Sequence, residues 1–344
     1  MAVLEVKDLK IYYKTLKGYF KAVDGVSFQI EENDFLGLVG ESGCGKSTIA
    51  KAILRILPVN GEVSGGEVRY KGRDILSMKP RELKKVQWKE ISMIPQSAMN
   101  SFDPVYQIEY QMMEAIKTHQ DMSEQAAQAK IEEMFALVGL NKARLKDYPH
   151  QFSGGMRQRA MIAMSLVLDP TLIVADEPTT GLDVIVQDQI LVRIKQIQEK
   201  LKKTMLLITH NMAVVAENCS KIAVMYAGKI MEYGGKAVFE SPYHPYTLGL
   251  IHAFPSLDES DRELLSIPGS PPSLLNPPEG CRFRQRCPFS ADLCVKQEPS
   301  LREVKADHFS ACHFPEEIEK FRALARLPAT WQGITSAAKA DSNV

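Results

Sequence analysis

A glycine-rich segment has the residue types needed to bind phosphate. The stretch GESGCGKST, residues 40–48, fits the pattern G-x-x-x-x-G-K-[ST] and lies between an apolar run and a run of helical spacing. Glycines let successive backbone N–H groups point at phosphate oxygens, and the N-terminus of the following helix adds its positive end. Lys46 is expected to reach the β- and γ-phosphates, and the Ser47 hydroxyl to ligate Mg²⁺. The segment predicts a nucleoside triphosphate site formed by Ser42, Gly43, Cys44, Gly45, Lys46, Ser47 and Thr48.

Two carboxylates follow a second apolar run, LIVADE, residues 172–177. Asp176 is expected in the Mg²⁺ shell, and Glu177, one residue further, can accept a proton from an attacking water. Such an acidic pair is often only an exposed strand end. The phosphate loop upstream makes catalysis the better interpretation.

The stretch QFSGGMRQRAMIAM, residues 151–164, predicts a helix whose N-terminus is available to an anion. Ser153 can cap this helix, while Gly154 and Gly155 leave its first amides accessible. A plain capped helix explains this stretch equally well when it is considered alone.

Four of the six cysteines gather late in the chain, with the spacing C-x5-C-x6-C-x17-C. This is neither a zinc-finger spacing nor the C-x2-C-x2-C run of bacterial ferredoxins. Four thiols in a proline-rich segment favour a metal centre, but the spacing does not separate structural Zn²⁺ from [4Fe-4S], and four free thiols are the alternative. His308 and His313 are expected to be exposed loop histidines rather than ligands. The predicted ligands are Cys281, Cys287, Cys294 and Cys312.

The elements that must position these residues predict an α/β fold with a parallel sheet. Alternating and continuous apolar runs predict strands at residues 3–30, 35–40, 171–176, 204–209 and 221–228, with a helical insertion at 98–150 and a helix at 186–201. A change in character near residue 240, followed by a proline-rich stretch, marks a boundary. We expect a nucleotide-binding domain at 1–240, with a helical subdomain at about 97–165, and a C-terminal extension at 241–344 that holds the cysteines.

The composition is that of an ordinary globular protein. The 344 residues are 45% hydrophobic and 24% charged, and the formal net charge is zero, so no global field attracts nucleic acid. The N-terminus lacks the features of a signal peptide, and no apolar run approaches the roughly 20 residues that span a bilayer. We therefore expect reduced or metal-bound cysteines and membrane association only through a partner.

The motifs together resemble those of a known family. GESGCGKST, Gln96, FSGGM, LIVADEP, TGLD and His210 occur in the order and spacing of ATP-binding-cassette (ABC) ATPases. HPYTLGL and IPGSPPSLL…GCRFRQRCP are further similar to the oligopeptide/dipeptide importer ATPases, and the resemblance covers residues 3–315. It implies a P-loop cassette with a RecA-like parallel sheet core, an antiparallel β-subdomain, a helical signature subdomain and a small Cys-rich C-terminal extension.

The resemblance also implies residue roles. Two subunits would dimerise head to tail, with each ATP between the phosphate loop of one and the SGG motif of the other. Tyr13 would stack on adenine, although Tyr12 is adjacent and strand alternation predicts that one of the two lies in the core. The other implied roles are Gln96 at Mg²⁺ and the water, Glu177 as general base, His210 at the γ-phosphate, Asp183 across the interface, and Ser153, Gly154, Gly155 and Met156 at the partner's nucleotide. Met156 departs from the Gln that is usual there.

The implied partners are a related but different ABC ATPase, two integral permease subunits that contact the helical segment, and indirectly an extracellular peptide-binding protein. No nucleic acid partner is expected, and the chain would lie peripherally on the cytoplasmic face of the cell membrane. The resemblance favours [4Fe-4S] over Zn²⁺, with Arg282, Arg284 and Arg286 offsetting its negative charge. Open alternatives are an importer ATPase for nickel or another small solute, a soluble ABC ATPase acting on nucleic acid or the ribosome, and a metal-sensing regulatory subunit.

Overall fold

The computed structural model describes residues 2–96, 101–253 and 265–332. The strands are β1 (Ala2–Thr15), β2 (Gly18–Glu31), β3 (Phe35–Val39), β4 (Gly61–Tyr70), β5 (Arg73–Asp74), β6 (Ile91–Ile94), β7 (Leu172–Asp176), β8 (Thr204–Thr209), β9 (Lys221–Tyr226), β10 (Lys229–Gly234), β11 (Arg302–Lys305) and β12 (His308–Ser310). The helices are α1 (Lys46–Ile53), α2 (Pro80–Val86), α3 (Ile108–His119), α4 (Glu124–Leu137), α5 (Gly154–Leu166), α6 (Val184–Leu201), α7 (Met212–Asn218), α8 (Ala237–Glu240), α9 (Pro245–Ala253), α10 (Asp292–Lys296) and α11 (Ile318–Ala325).

The chain divides into two compact units. The first unit comprises residues 1–4, 30–35 and 69–209, and the second comprises residues 5–29, 36–68 and 210–344. Within the part of the chain that the structure describes, no helix combines the length and the apolar character needed to cross a bilayer.

The first unit contains three parallel strands with β7 in the middle. β6 and β8 both pair with β7 in parallel register, and every residue of β7 and β8 is buried. Strands covered on both faces read as continuous apolar runs, which is why the sequence revealed β7 and β8. The predicted strand, helix, strand unit is confirmed, because α6 connects these two strands and buries Ile190, Ile194 and Ile197.

The helices of the first unit include the predicted insertion. α4 begins after Ser123, whose hydroxyl accepts from the amide of Ala126, and it buries Ile131 and Phe135. Gly139 follows with φ +74°, a left-handed conformation that suits a glycine after a helix end. Residues 97–100 of the predicted helical subdomain lie outside the described residues.

The second unit places the C-terminal residues in the same sheet as the strand before the phosphate loop. The strand order is β11-β12-β10-β9-β3, in which β3 and β9 are parallel and the remaining pairs are antiparallel. β3 is wholly buried and confirms the predicted strand. The strands β10, β11 and β12 were not predicted. The predicted strands β1 and β2 lie in a separate four-stranded sheet of order β2-β1-β4-β5.

Candidate nucleotide-binding site

The phosphate loop turns so tightly that two of its glycines have no room for a side chain. Gly40 has φ +152°, and a Cβ there would lie 2.0 Å from the carbonyl oxygen of Met225. Gly45 has φ +109°, and its Cβ would lie 2.2 Å from the carbonyl oxygen of Ala22. Backbone atoms cannot move aside by a rotamer change. The close approach of the loop to Met225 in β9 and to Ala22 in β2 therefore requires glycine.

Lys46, the first residue of α1, folds back over the loop. Its side chain is buried, and Nζ donates to the carbonyl oxygens of Gly40 at 2.8 Å and Glu41 at 2.9 Å, with the Sγ of Cys44 at 3.6 Å. The ammonium group therefore sits at the N-terminal end of α1, where an anion is stabilised by the helix dipole. Ser42 and Gly43 are exposed beside it, whereas Ser47 is partly exposed. The Lys46 ammonium group and the N-terminal end of α1 together fit the phosphates of a nucleoside triphosphate.

Neither of the two adjacent tyrosines of β1 lies in the core, so that expectation is wrong. Both are partly exposed, and each hydroxyl has a polar partner. The Tyr12 hydroxyl donates to Asp24 at 2.7 Å, and burial together with this bond raises the pKa of Tyr12 to about 12. The Tyr13 hydroxyl lies 3.1 Å from Oγ1 of Thr48, so Tyr13 contacts the last residue of the phosphate loop.

The acidic end of β7 forms a second group of functional side chains. Asp176 is buried at the end of the strand, and Glu177 adopts φ +44°, which is uncommon for a residue with a side chain. Oε2 of Glu177 accepts from Nε2 of Gln96 at 2.9 Å and from the Thr180 hydroxyl at 3.0 Å. Gln96 follows β6, the parallel neighbour of β7, so the ends of the two strands bring it to Glu177. The carboxylate is held by two donors in a defined orientation.

Helix α5, which begins at the SGG motif, has the predicted N-cap at Ser153. Ser153 accepts from the amide of Met156 at 3.3 Å, with Gly154 and Gly155 in the first turn of α5. Asp183 has a role that the sequence interpretation missed, since it caps α6 by accepting from the amide of Val186 at 3.0 Å. An Asp directly before an apolar helical run is an N-cap signal that could have revealed this role.

The two helix starts lie side by side in the first unit. A Cβ at Gly155 would lie 2.7 Å from Cγ1 of Val186, so α5 and α6 pack closely there. Ser153 and Asp183 are exposed. His210 is also exposed, directly after β8.

The four late cysteines converge on one small cavity. It measures about 20 Å³, room for about one water, and Phe283, Phe289 and Phe314 contribute to its walls. Burial raises the pKa of Cys281 to about 11 and that of Cys312 to about 12, so these thiols are neutral at pH 7. The cysteines that line the cavity are Cys281, Cys287, Cys294 and Cys312.

The thiols as placed do not form a metal site. In the described residues, no group of three or more His, Cys, Asp or Glu side chains could hold a metal ion. A tetrahedral Zn²⁺ with Zn–S bonds of about 2.3 Å needs its thiolates closely grouped. The cavity is also smaller than a four-iron cluster, so binding either group would require the side chains to rearrange.

The expectation for His308 is wrong. His308 is not in an exposed loop, because it lies in β12, is buried, and places Nε2 2.6 Å from Oε1 of the buried Glu232. Of the three arginines expected to offset a cluster's charge, only Arg284 lines the cysteine cavity. Arg282 pairs with Asp24 and Arg286 with Glu41, because each guanidinium reaches a carboxylate elsewhere in the second unit.

Comparisons with known proteins agree with this geometry. A family model described as ABC transporter matches residues 23–180, and one described as Oligopeptide/dipeptide transporter, C-terminal region, matches residues 231–294. The chain is 43% identical over 319 residues to the Oligopeptide transport ATP-binding protein OppD of Escherichia coli K12, covering 92% of this chain and 94% of that protein. It is 41% identical over 318 residues to the Dipeptide transport ATP-binding protein DppD of Caldanaerobacter subterraneus subsp. tengcongensis, covering 92% and 98%.

A solved structure described as dimeric MJ0796, a bacterial ABC transporter cassette, is also similar, with a TM-score of 0.61 and 25% identity over 68% of this chain and 98% of that one. The fold and the phosphate loop thus define an ABC ATPase. The chain belongs to the family of ATP-binding proteins of oligopeptide/dipeptide ABC transporters.

Proposed function

We propose that this chain hydrolyses ATP to power the import of dipeptides and oligopeptides through a membrane transporter. The observation that carries the peptide assignment is the C-terminal match at residues 231–294, on the same chain as the ABC match. The relatives named above are a dipeptide and an oligopeptide transport protein, which supports the same class of cargo. An importer for nickel or another small solute is the alternative within this family.

The phosphate loop binds the triphosphate in this proposal. The amides of residues 42–48 and the start of α1 face the phosphate oxygens, and Lys46, positioned by its bonds to the loop carbonyls, reaches the β- and γ-phosphates. Tyr13, fixed at Thr48, stacks on the adenine. Ser47, Asp176 and Gln96 would hold Mg²⁺, which neutralises phosphate charge when bound.

Glu177 is the proposed general base. Hydrogen bonds from Gln96 and Thr180 to Oε2 orient its carboxylate, which is proposed to accept a proton from the attacking water. His210 is proposed to contact the γ-phosphate. A carboxylate held in one orientation needs little reorganisation when the water attacks.

The exposed helix starts support head-to-tail pairing with a second, related ATPase. Ser153, Gly154, Gly155 and Met156 would present the first turn of α5 to the partner's nucleotide, and Asp183 would lie at the same interface. Two integral permease subunits would bind the helical subdomain, with an extracellular peptide-binding protein delivering cargo to them. The chain would then lie peripherally on the cytoplasmic face of the membrane, and its neutral charge gives no reason to expect nucleic acid.

A [4Fe-4S] cluster is the proposed ligand of the four cysteines, bound after their side chains rearrange and supported by the convergence of four thiols on one space, with Zn²⁺ as the alternative. Anaerobic purification followed by iron, sulfide and zinc analysis tests this. About four irons and four sulfides per chain, with a brown colour, are expected. Zinc without colour would replace the cluster by a structural ion, and neither metal would leave four free thiols.

Reconstitution tests the transport function. The chain, its partner ATPase and the permease subunits would be placed in proteoliposomes with ATP, and uptake of a labelled dipeptide compared with uptake of Ni²⁺. ATP-dependent dipeptide uptake that disappears in Lys46→Ala is expected. Uptake of Ni²⁺ alone would transfer the assignment to the alternative cargo. ATPase activity stimulated by RNA or ribosomes, without any uptake, would favour a soluble ABC ATPase.

A further inference from the structure

The C-terminal segment places one arginine directly on the phosphate loop. Arg286 lies one residue before Cys287, and its side chain is 6% exposed. Its Nη1 donates to Oε1 and to Oε2 of Glu41, each at 2.9 Å. Glu41 is the second residue of the loop motif. A partly buried, charge-assisted contact thus joins two segments that are more than 200 residues apart in the sequence.

The guanidinium group is fixed by partners outside the loop. Nε donates to the carbonyl oxygen of Pro268 at 2.9 Å, and Nη2 donates to that of Ile267 at 3.2 Å. Nη1 also donates to the Tyr226 hydroxyl at 3.3 Å, and Cζ lies 5.6 Å from the centre of the Tyr226 ring. A planar guanidinium held at each of its nitrogens loses little further freedom when it binds a carboxylate. Arg286 therefore determines where the Glu41 side chain lies.

Glu41 in turn connects to the lysine that binds phosphate. Its carbonyl oxygen accepts from Nζ of Lys46 at 2.9 Å, and its amide donates to the Tyr246 hydroxyl at 3.1 Å. The side chain, carbonyl and amide of Glu41 thus each have a separate partner. A displacement of Glu41 would be transmitted directly to Lys46 and to the loop carbonyls around it.

We propose that Arg286 is a positioning residue for ATP binding, acting through Glu41 to hold the phosphate loop and Lys46 in the conformation that binds the triphosphate. This rests on the ATP site proposed above. None of the sequence motifs assigned Arg286 to the ATP site. The proposal requires the effect of Arg286 to depend on Glu41, which separates it from a general contribution to folding.

A double-mutant cycle tests that dependence. Binding of a fluorescent ATP analogue with Mg²⁺ would be titrated for the wild type, Arg286→Ala, Glu41→Ala and the double variant. Arg286→Ala is expected to weaken binding about tenfold, within the usual range for coupled sites. The double variant is expected to bind no more weakly than the weaker single variant, and Arg286→Lys, which keeps the charge, to recover part of the affinity.

Arg282→Ala is the matched control. Arg282 belongs to the same segment and its side chain is 3% exposed, but it pairs with Asp24 and donates to the carbonyl oxygen of Ala227 at 3.0 Å. Arg282→Ala is expected to lower the thermal unfolding midpoint as Arg286→Ala does. Its affinity for the ATP analogue is expected to stay within about threefold of the wild-type affinity.

The outcomes separate the possibilities. Failure of the wild type to bind the analogue would contradict the ATP site itself. If the wild type binds the analogue but the affinity losses of the two single variants multiply in the double variant, the role of Arg286 is overturned. An affinity loss in Arg282→Ala equal to that in Arg286→Ala would overturn it as well. If Arg286→Ala does not fold, Arg286→Lys and Glu41→Gln form the same cycle, and multiplicative losses there would equally reject the proposal.

Discussion

The two glycines at the centre of the phosphate loop give a matched pair of substitutions. Gly43 and Gly45 both have positive φ, +78° and +109°, so alanine at either position costs about 1–2 kcal/mol for the left-handed backbone. They differ in space, because a Cβ at Gly43 meets nothing within 4 Å, whereas a Cβ at Gly45 lies 2.2 Å from the carbonyl oxygen of Ala22. Forcing an extra carbon into a packed region adds about 1–3 kcal/mol.

We therefore expect Gly43→Ala to lower the free energy of unfolding by about 1–2 kcal/mol, and Gly45→Ala by about 2–5 kcal/mol. Urea unfolding of both variants, followed by tryptophan fluorescence and circular dichroism, measures the difference. Gly45→Ala should also bind a fluorescent ATP analogue more weakly, since relieving the contact with Ala22 displaces the start of α1. Equal destabilisation by the two substitutions would refute the argument that the loop is held against β2.

Three further predictions concern other parts of the molecule. Glu177→Gln in the assembled transporter should lower ATP turnover by about 10²–10⁴-fold while ATP still binds, and near-normal turnover would remove Glu177 from the role of base. His308→Ala removes a hydrogen-bond partner of the fully buried Glu232, so the free energy of unfolding should fall by about 1–3 kcal/mol in urea titrations, and no measurable loss would contradict this. The pKa of Asp24 is lowered because the Tyr12 hydrogen bond and nearby cations outweigh its burial. Its contribution to stability is thus complete above its ordinary pKa of about 4 and lost as the pH falls through the lower folded value. The stability difference between wild type and Asp24→Asn should accordingly shrink in acid, and a difference independent of pH would exclude this linkage.

The sequence was informative where function or burial imposes a local pattern. Strands β3, β7 and β8 were predictable because burial on both faces requires continuous apolar residues. The phosphate loop was predictable because its glycines and lysine are needed at fixed spacing. The cap at Ser153 was predictable for the same local reason.

Features that depend on distant residues were missed. β12 has three residues, and only its pairing with β10 and β11 makes it a strand, so neither length nor periodicity identifies it. His308 was expected to be an exposed loop histidine, but it is buried against Glu232, which lies 76 residues earlier. The contact between Arg286 and Glu41 has the same origin, since no local pattern shows which carboxylate a buried arginine will meet.

These distant contacts affect where the ATP-binding structure ends. A boundary at residue 240 would separate Glu41 from Tyr246 and from Arg286, although both contact it within the second unit. It would also remove β12, whose antiparallel pairing protects the edge of β10. Because the loop carbonyls that hold Lys46 depend on Glu41, we infer that residues beyond 240 help to shape the nucleotide site. Selection on ATP binding would then act on the C-terminal segment directly, whether or not its cysteines bind a metal.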